Sequence, residues 1–333
     1  MKAQSFSAPG KAVICGEYAV LRGAPAVSMA VDRRAVVTTQ PADGDDFTVT
    51  TPGYADGRWR FRTGERSVLR WRDELPADGL AVVETVFGAL KASPGNALGI
   101  DVDTRGFSDN VTGQKLGLGS SAAATVALAA ALMPGAPARD VFECARAAHH
   151  RLQGGGSGVD IATACCGGVI SYRKDQSFPP QTVVWPDAVH YRFFYSGRPS
   201  RTADAIRRAE ARDERRWAAL DSAAKEADEA IRAGRADGLV AAVSAWTAAL
   251  RRFDEAGSIG IFAGGHAQMT ELAAEWGVVY KPCGAGGGDI GIALAADIAD
   301  IKRFCRRARG AGFTPLDIRR DDRGVTQHTG VRG

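Results

Sequence analysis

Lys115-Leu116-Gly117-Leu118-Gly119-Ser120-Ser121-Ala122-Ala123 is the stretch that decides the reading of this chain. Small residues let the backbone close around a bound group without a Cβ clash. Residues 120–133 follow, apolar on nearly every face and rich in Ala, Val and Leu, which predicts a buried helix. The first N–H groups of such a helix have no intrahelical partner and carry partial positive charge, so loop and helix together form an anion site. Ser120 and Ser121 add hydroxyls for a phosphate oxygen or for Mg²⁺. Two other nucleotide loops fit less well. Gly117 to Ala122 matches G-x-G-x-x-A, but the preceding residues 108–114 are polar where a dinucleotide fold needs a hydrophobic strand. The G-x-x-x-x-G-K-[ST] spacing is absent. Taken alone, the run also fits a tight turn that only packs a helix.

Outward from this loop, the N-terminal half alternates strand and helix signals. Residues 26–39 read as a strand pair interrupted near Asp32-Arg33, and 47–51 with 59–62 as a hairpin about Pro52-Gly53. Residues 80–92, 141–152 and 158–166 read as helices and 100–104 as a strand. In the C-terminal half, 190–195, 278–280, 290–295 and 313–318 read as strands. Residues 203–232, 239–256, 263–276 and 298–308 read as helices. Trp185-Pro186-Asp187 interrupts the pattern, which predicts two domains, 1–185 and 186–333. The length of 333 residues also suits two cores.

Bulk properties narrow the function. A net charge of +4, with basic and acidic residues interspersed, gives no electrostatic footprint for nucleic acid. The six cysteines form no C-x-x-C pair, which suits buried thiols in a reducing compartment. The N-terminus shows no apolar signal segment, and no apolar run reaches about 18 residues, so a cytoplasmic chain without a membrane span is expected.

Two further glycine-marked motifs flank the central one. Ser7-Ala8-Pro9-Gly10-Lys11 leads to Gly16-Glu17-Tyr18-Ala19-Val20-Leu21. A lysine in a turn is ordinarily a solvated charge. Lys281-Pro282-Cys283-Gly284-Ala285-Gly286-Gly287-Gly288-Asp289 places four glycines in five residues between two strands, which permits close backbone approach or marks a plain loop. Between them, Gln153-Gly154-Gly155-Gly156-Ser157-Gly158-Val159-Asp160 carries an acid at a helix start, a position that also suits an N-cap.

With all three motifs in order, the chain resembles the GHMP small-molecule kinases, whose pattern is P-G-K-x-x-x-x-G-E, then G-L-G-S-S-A-A, then a glycine-rich third motif. The resemblance implies an α+β, two-domain GHMP kinase fold. It has an N-terminal ribosomal-S5-like domain, a C-terminal ferredoxin-like domain and the site between them. Within the family, Gly16-Glu17-Tyr18, Lys115, the segment from Gln153 to Ala162 and the third motif are most similar to the phosphomevalonate kinase branch. That implies ATP and Mg²⁺ as cofactors, 5-phosphomevalonate as acceptor, and a monomer or homodimer. Mevalonate kinase, another kinase of the family, or a non-catalytic sensor on the same fold remain the alternatives.

By the same resemblance, Lys11 and Asp160 are the expected catalytic pair. Lys115, Gly117, Leu118, Gly119, Ser120, Ser121 and Ala122 are expected on the ATP phosphates, and Ser121 on Mg²⁺. Glu17, Tyr18, Ser157, Gly158, Ser200, Arg201, Gly286 and Gly287 are expected, with Lys11, on the acceptor. Mevalonate kinases hold a Mg²⁺-binding glutamate about eleven residues before the catalytic aspartate, and here that position is His149. Neutral imidazole is a poor ligand for a hard cation, and the His149-His150 pair reads as helix surface or packing. Segment 196–202 suits either an anion-binding helix start or an ordinary N-cap with solvated arginines.

Overall fold

A computed structural model describes residues 3–64, 67–76, 79–109, 112–200, 202–210, 213–255 and 259–328. The first half builds a large sheet from β1 (Gln4–Cys15), β2 (Ala26–Pro41), β3 (Phe47–Thr51), β4 (Ala55–Thr63), β5 (Leu69–Trp71), β6 (Leu98–Asp103), β7 (Val169–Tyr172) and β8 (Gln181–Thr182). Its path runs β1-β2-β6-β3-β4-β5, with β7 and β8 joined to β2. The helices α1 (Ala81–Ala89), α2 (Ser120–Leu132), α3 (Ala138–Gln153) and α4 (Val159–Cys166) stack beside it. α2 lies innermost. Every residue from Ala122 to Leu132 is buried, and its alanines let β1, β2, α3 and α4 all approach closely.

The second half builds an antiparallel sheet of β9 (His190–Tyr195), β10 (Val279–Pro282), β11 (Ile290–Ala295) and β12 (Thr314–Leu316), in the order β10-β11-β9-β12. Its helices are α5 (Thr202–Glu210), α6 (Glu214–Arg232), α7 (Ala236–Glu255), α8 (His266–Ala274) and α9 (Ile298–Gly310). α8 and α9 close a separate aromatic core around Phe194, Tyr280, Phe304 and Phe313. α6 and α7 pack together, and α7 touches both β10 and β1. The fold is thus α+β in two sheet-based layers with a seam between β1 and β10.

The structure corrects four expectations. β1 was masked by Pro9 and Gly10, so Lys11 lies in a strand and not in a turn. β2 is continuous. The register steps from Pro9↔Arg34 to Gly10↔Val31, so Asp32-Arg33 forms a bulge instead of a break. Residues 203–232 are two helices, because Asp213 caps α6 by accepting from Arg216 N–H at 3.0 Å. Finally, β13 (Thr326–His328) pairs with β1, so the end of the chain returns to the large sheet.

The small sheet holds a buried histidine. His266 Nε2 donates to Gly288 O at 3.0 Å, which leaves Nδ1 of the neutral ring to accept from Tyr280 OH at 2.8 Å. Burial pushes its pKa down to about 4, with the Gly288 hydrogen bond opposing and Lys281 assisting. The folded state therefore binds fewer protons than the unfolded chain between pH 6.5 and 4, and stability falls as pH drops through that window. The expected loss from this group is on the order of 3 kcal/mol by pH 4. Denaturant unfolding of wild type and His266→Gln checks it. The variant starts less stable at pH 7, but its stability declines less steeply below pH 6.5.

Candidate active site

The loop before α2 is held open for a ligand by its backbone. Gly117 and Gly119 both adopt left-handed φ, +73° and +78°, and Gly119 caps a helix with no acid in its first turn. The helix end thus presents free N–H groups and positive potential to the cleft. β1 is fastened to this loop by Lys11 N–H donating to Leu118 O at 2.8 Å. The Lys11 stem runs over Gly119, where a Cβ would come within 3.2 Å of it. Lys11 Nζ then lies 3.7 Å from Asp160 Oδ2, with side chains 12% and 26% exposed. Asp160 stands in the first turn of α4 behind Gly158, whose φ is +85°.

These groups line one cleft of about 400 Å³ between the two sheets. A second, more apolar hollow of about 260 Å³ opens beside it. Both share Lys115, Ser120 and Ser121, and the second is walled by Tyr54, Leu80, Val102 and Ala124. Lys115 Nζ sits 5.1 Å over the Tyr54 ring. The layout places a hollow for a flat apolar group, an anion cradle and a cation–carboxylate pair in succession. That sequence of environments suits a nucleoside, its phosphates and a phosphoryl acceptor.

Comparison with known proteins gives the same direction. Residues 82–168 match the family described as GHMP kinases N terminal domain. A phosphomevalonate kinase of Streptomyces sp. (strain CL190) is 31% identical over 93% of this chain and 95% of that protein. The chain belongs to the GHMP kinase family. A mevalonate kinase of Aeropyrum pernix is also 31% identical, over 53% of this chain and 52% of its own length. Among solved structures, Streptococcus pneumoniae phosphomevalonate kinase in complex with phosphomevalonate and AMPPNP superposes with TM-score 0.76 at 17% identity, covering 96% of this chain and all of that one. The Lin0012 protein of Listeria innocua gives TM-score 0.84 at 22% identity, covering 99% of this chain and 100% of that one.

In this GHMP kinase, Lys11, Lys115, Gly117, Leu118, Gly119, Ser120, Ser121, Ala122, Ser157, Gly158, Asp160 and Ser200 all face the cleft. Tyr18 does too, and its hydroxyl crosses the seam to donate to Ala285 O at 2.6 Å. Glu17 borders the cleft, but its carboxylate is committed elsewhere. Oε1 pairs with Lys281 Nζ, and Oε2 accepts from Trp246 Nε1 at 2.8 Å. Gly286 and Gly287 turn away: Gly286 packs on Ile261, and Gly287 N–H donates to Ile261 O at 2.8 Å. Gly284 and Ala285 of the same motif line the cleft in their place. Arg201 lies outside the described residues.

Asp289 and His149 also line the cleft, outside the site residues expected from sequence. Asp289 has φ +54° and packs against Gly117, while its Oδ1 accepts from Ser200 N–H at 3.2 Å. Burial pushes its pKa up, opposed by the Ser200 hydrogen bond and by Lys11. Its place at the end of the third motif was visible, but its left-handed backbone and inward aim were not. His149 is buried, and its Nε2 lies 3.0 Å from Ser121 Oγ. Burial depresses its pKa, so the imidazole is held neutral, with Asp160 opposing and Lys11 assisting. Sequence left helix surface or packing open for this residue, and the structure buries it against a residue of the phosphate loop.

Among the described residues no cluster of three or more His, Cys, Asp or Glu could hold a metal by itself. The Ser121 hydroxyl and the partly exposed Asp160 carboxylate both line the cleft and are hard oxygen donors that could contribute to a Mg²⁺ shell. Mg²⁺ typically takes one or two protein oxygens and completes its shell with phosphates and water.

Proposed function

We propose that this chain transfers the γ-phosphoryl group of ATP to the phosphate of 5-phosphomevalonate, giving 5-diphosphomevalonate and ADP, in the cytoplasm. The Lys11–Asp160 pair at the open end of α2 carries the reading, since it puts a cation where two anions must meet. The similarity to a phosphomevalonate kinase along nearly the whole chain supports the choice of acceptor.

Phosphoryl transfer needs alignment and charge neutralisation more than covalent assistance from protein. The N–H groups of residues 117–121 would hold the β- and γ-phosphates, and the hollow beside Tyr54 would take the base. Mg²⁺, held by Ser121 with Asp160 nearby, would supply further neutralisation of phosphate charge. An acceptor phosphate has a second pKa of about 6 and is mostly dianionic at pH 7, so it needs no base. Repulsion between acceptor and donor is the barrier the site must lower, and Lys11 would stand between them. Asp160 then orients the Lys11 ammonium instead of removing a proton.

Asp160→Asn should accordingly keep measurable turnover, with kcat lowered by about 10- to 100-fold and the acceptor KM little changed. Complete loss of activity in a folded variant that still binds both substrates would restore Asp160 as a required base. The product tests the reaction itself. ³¹P NMR should show two mutually coupled phosphorus signals from a new P–O–P bond. A lone uncoupled monoester signal would contradict phosphate as the acceptor group.

A further inference from the structure

The seam between the two sheets contains a buried ion pair that the chemistry above does not use. The Glu17 side chain is 2% exposed and that of Lys281 0%. Glu17 follows β1 of the large sheet, and Lys281 lies in β10 of the small one. Trp246, on α7, donates to the second Glu17 oxygen at 2.8 Å, and Lys281 Nζ also donates to Val13 O at 3.3 Å. Three elements are therefore pinned through one carboxylate.

Such a pair is a poor device for stability alone. Removing two charges from water costs several kcal/mol per ion, and well-packed apolar replacements are often equally stable. What an ion pair adds is direction, because its hydrogen bonds hold only in one relative placement of the strands. The surroundings show what that placement serves. Tyr18, next to Glu17, crosses the seam to Ala285 O. Gly284, three residues beyond Lys281, lies against Lys11: a Cβ built on it would be 3.8 Å from Lys11 Nζ. The chain flanking each partner thus runs directly into the cleft.

We propose that Glu17 and Lys281, locked by Trp246, form a positioning pair that registers the third-motif loop of the small sheet against Lys11. This rests on the reading of the cleft as a phosphoryl-transfer site. Neither residue touches substrate; both act by fixing where Lys11, Gly284 and Ala285 stand.

Glu17→Gln, Lys281→Met and the double variant test it, with thermal stability, steady-state kinetics and amide hydrogen exchange read on each. Either single variant leaves a buried group without its partner and should lose both stability and turnover. The double variant removes both charges and should regain most of the lost Tm. Its kcat should remain down by about 10-fold or more, with KM for ATP within about threefold of wild type. Exchange at residues 284–288 should rise in the double variant while the core of α2 stays protected. Recovery of kcat together with Tm, or unchanged exchange in that loop, would overturn the proposal and leave the pair a structural element. If the single variants do not fold, Trp246→Phe keeps an aromatic ring and removes one hydrogen bond, at the cost of a small buried gap. It should lower kcat by about threefold to tenfold without changing KM for ATP, and wild-type kcat in it would count against the proposal. Should wild type itself fail to phosphorylate 5-phosphomevalonate, the acceptor assignment fails, and the exchange data still decide the role of the pair.

Discussion

Lys11→Met should lower kcat by about 10³-fold, in the range found when a cation or donor aimed at developing charge is removed. Methionine keeps an unbranched stem over Gly119, so the loop geometry is preserved while the ammonium is lost. The Lys11 side chain is only 12% exposed, where a charge acts more strongly than in bulk water. ATP affinity should change far less than kcat, because on the proposed reading the loop holds phosphates through backbone N–H groups. Lys11→Arg should recover only part of the rate, since a planar fork does not reproduce a compact ammonium beside Asp160. A Lys11→Met enzyme with kcat within about threefold of wild type would remove the charge-neutralisation mechanism.

Gly117→Ala should be the most damaging change available in the phosphate loop. At φ +73° an alanine is strained by roughly 1–2 kcal/mol. Its Cβ would also come 2.4 Å from Asp289 Cβ and 2.6 Å from Asp289 Oδ2. Asp289 cannot easily yield, since its N–H donates to Arg198 O at 2.7 Å and its carbonyl accepts from Ser196 N–H at 2.9 Å. The loop must move instead, and kcat/KM for ATP should fall about 10²-fold. Gly113→Ala is the control. Its φ is +68°, but a Cβ there meets none of the described residues within 4 Å, so the strain comes without the clash. Its kcat/KM for ATP should stay within about threefold of wild type. Pairing Gly117→Ala with Asp289→Gly, which removes the Cβ as well as the carboxylate and suits the φ of +54°, should return part of the lost activity, and absence of any recovery would show that backbone strain alone governs the position.

The parts of this molecule that were legible in sequence are those whose signal is local. The glycine run and the all-apolar stretch after it announce α2 and its N–H-exposing end, because both follow from residue size and polarity within one contiguous stretch. The hairpin at Pro52-Gly53 and strands β9 and β11 were legible for the same reason. β1 was hidden because Pro9 and Gly10 are turn residues by propensity, and only pairing with β2 through a bulge makes them strand. The break between α5 and α6 was hidden by continuous helical periodicity around Asp213.

In the site, Lys11 and Asp160 were expected from the family resemblance and Ser121 from the loop as well, whereas Glu17, expected on the acceptor, has its carboxylate committed to Lys281 and Trp246. Its partner Lys281 is 264 residues away, so no local pattern could show that the carboxylate faces the seam. His149 and Asp289 owe their roles to burial and to a left-handed backbone, which composition does not encode. Gly286 and Gly287 were expected on the acceptor, but they close against Ile261 and Gly260 instead.

The acceptor is the central claim, and ADP release tests it most directly. With ATP and Mg²⁺ held saturating, kcat/KM should be measured side by side for 5-phosphomevalonate and mevalonate. A preference for 5-phosphomevalonate of at least about 10²-fold is expected, because the proposed acceptor is a dianion whose charge Lys11 would offset. Equal rates, or a preference for mevalonate, would contradict that acceptor and return Asp160 to the role of general base.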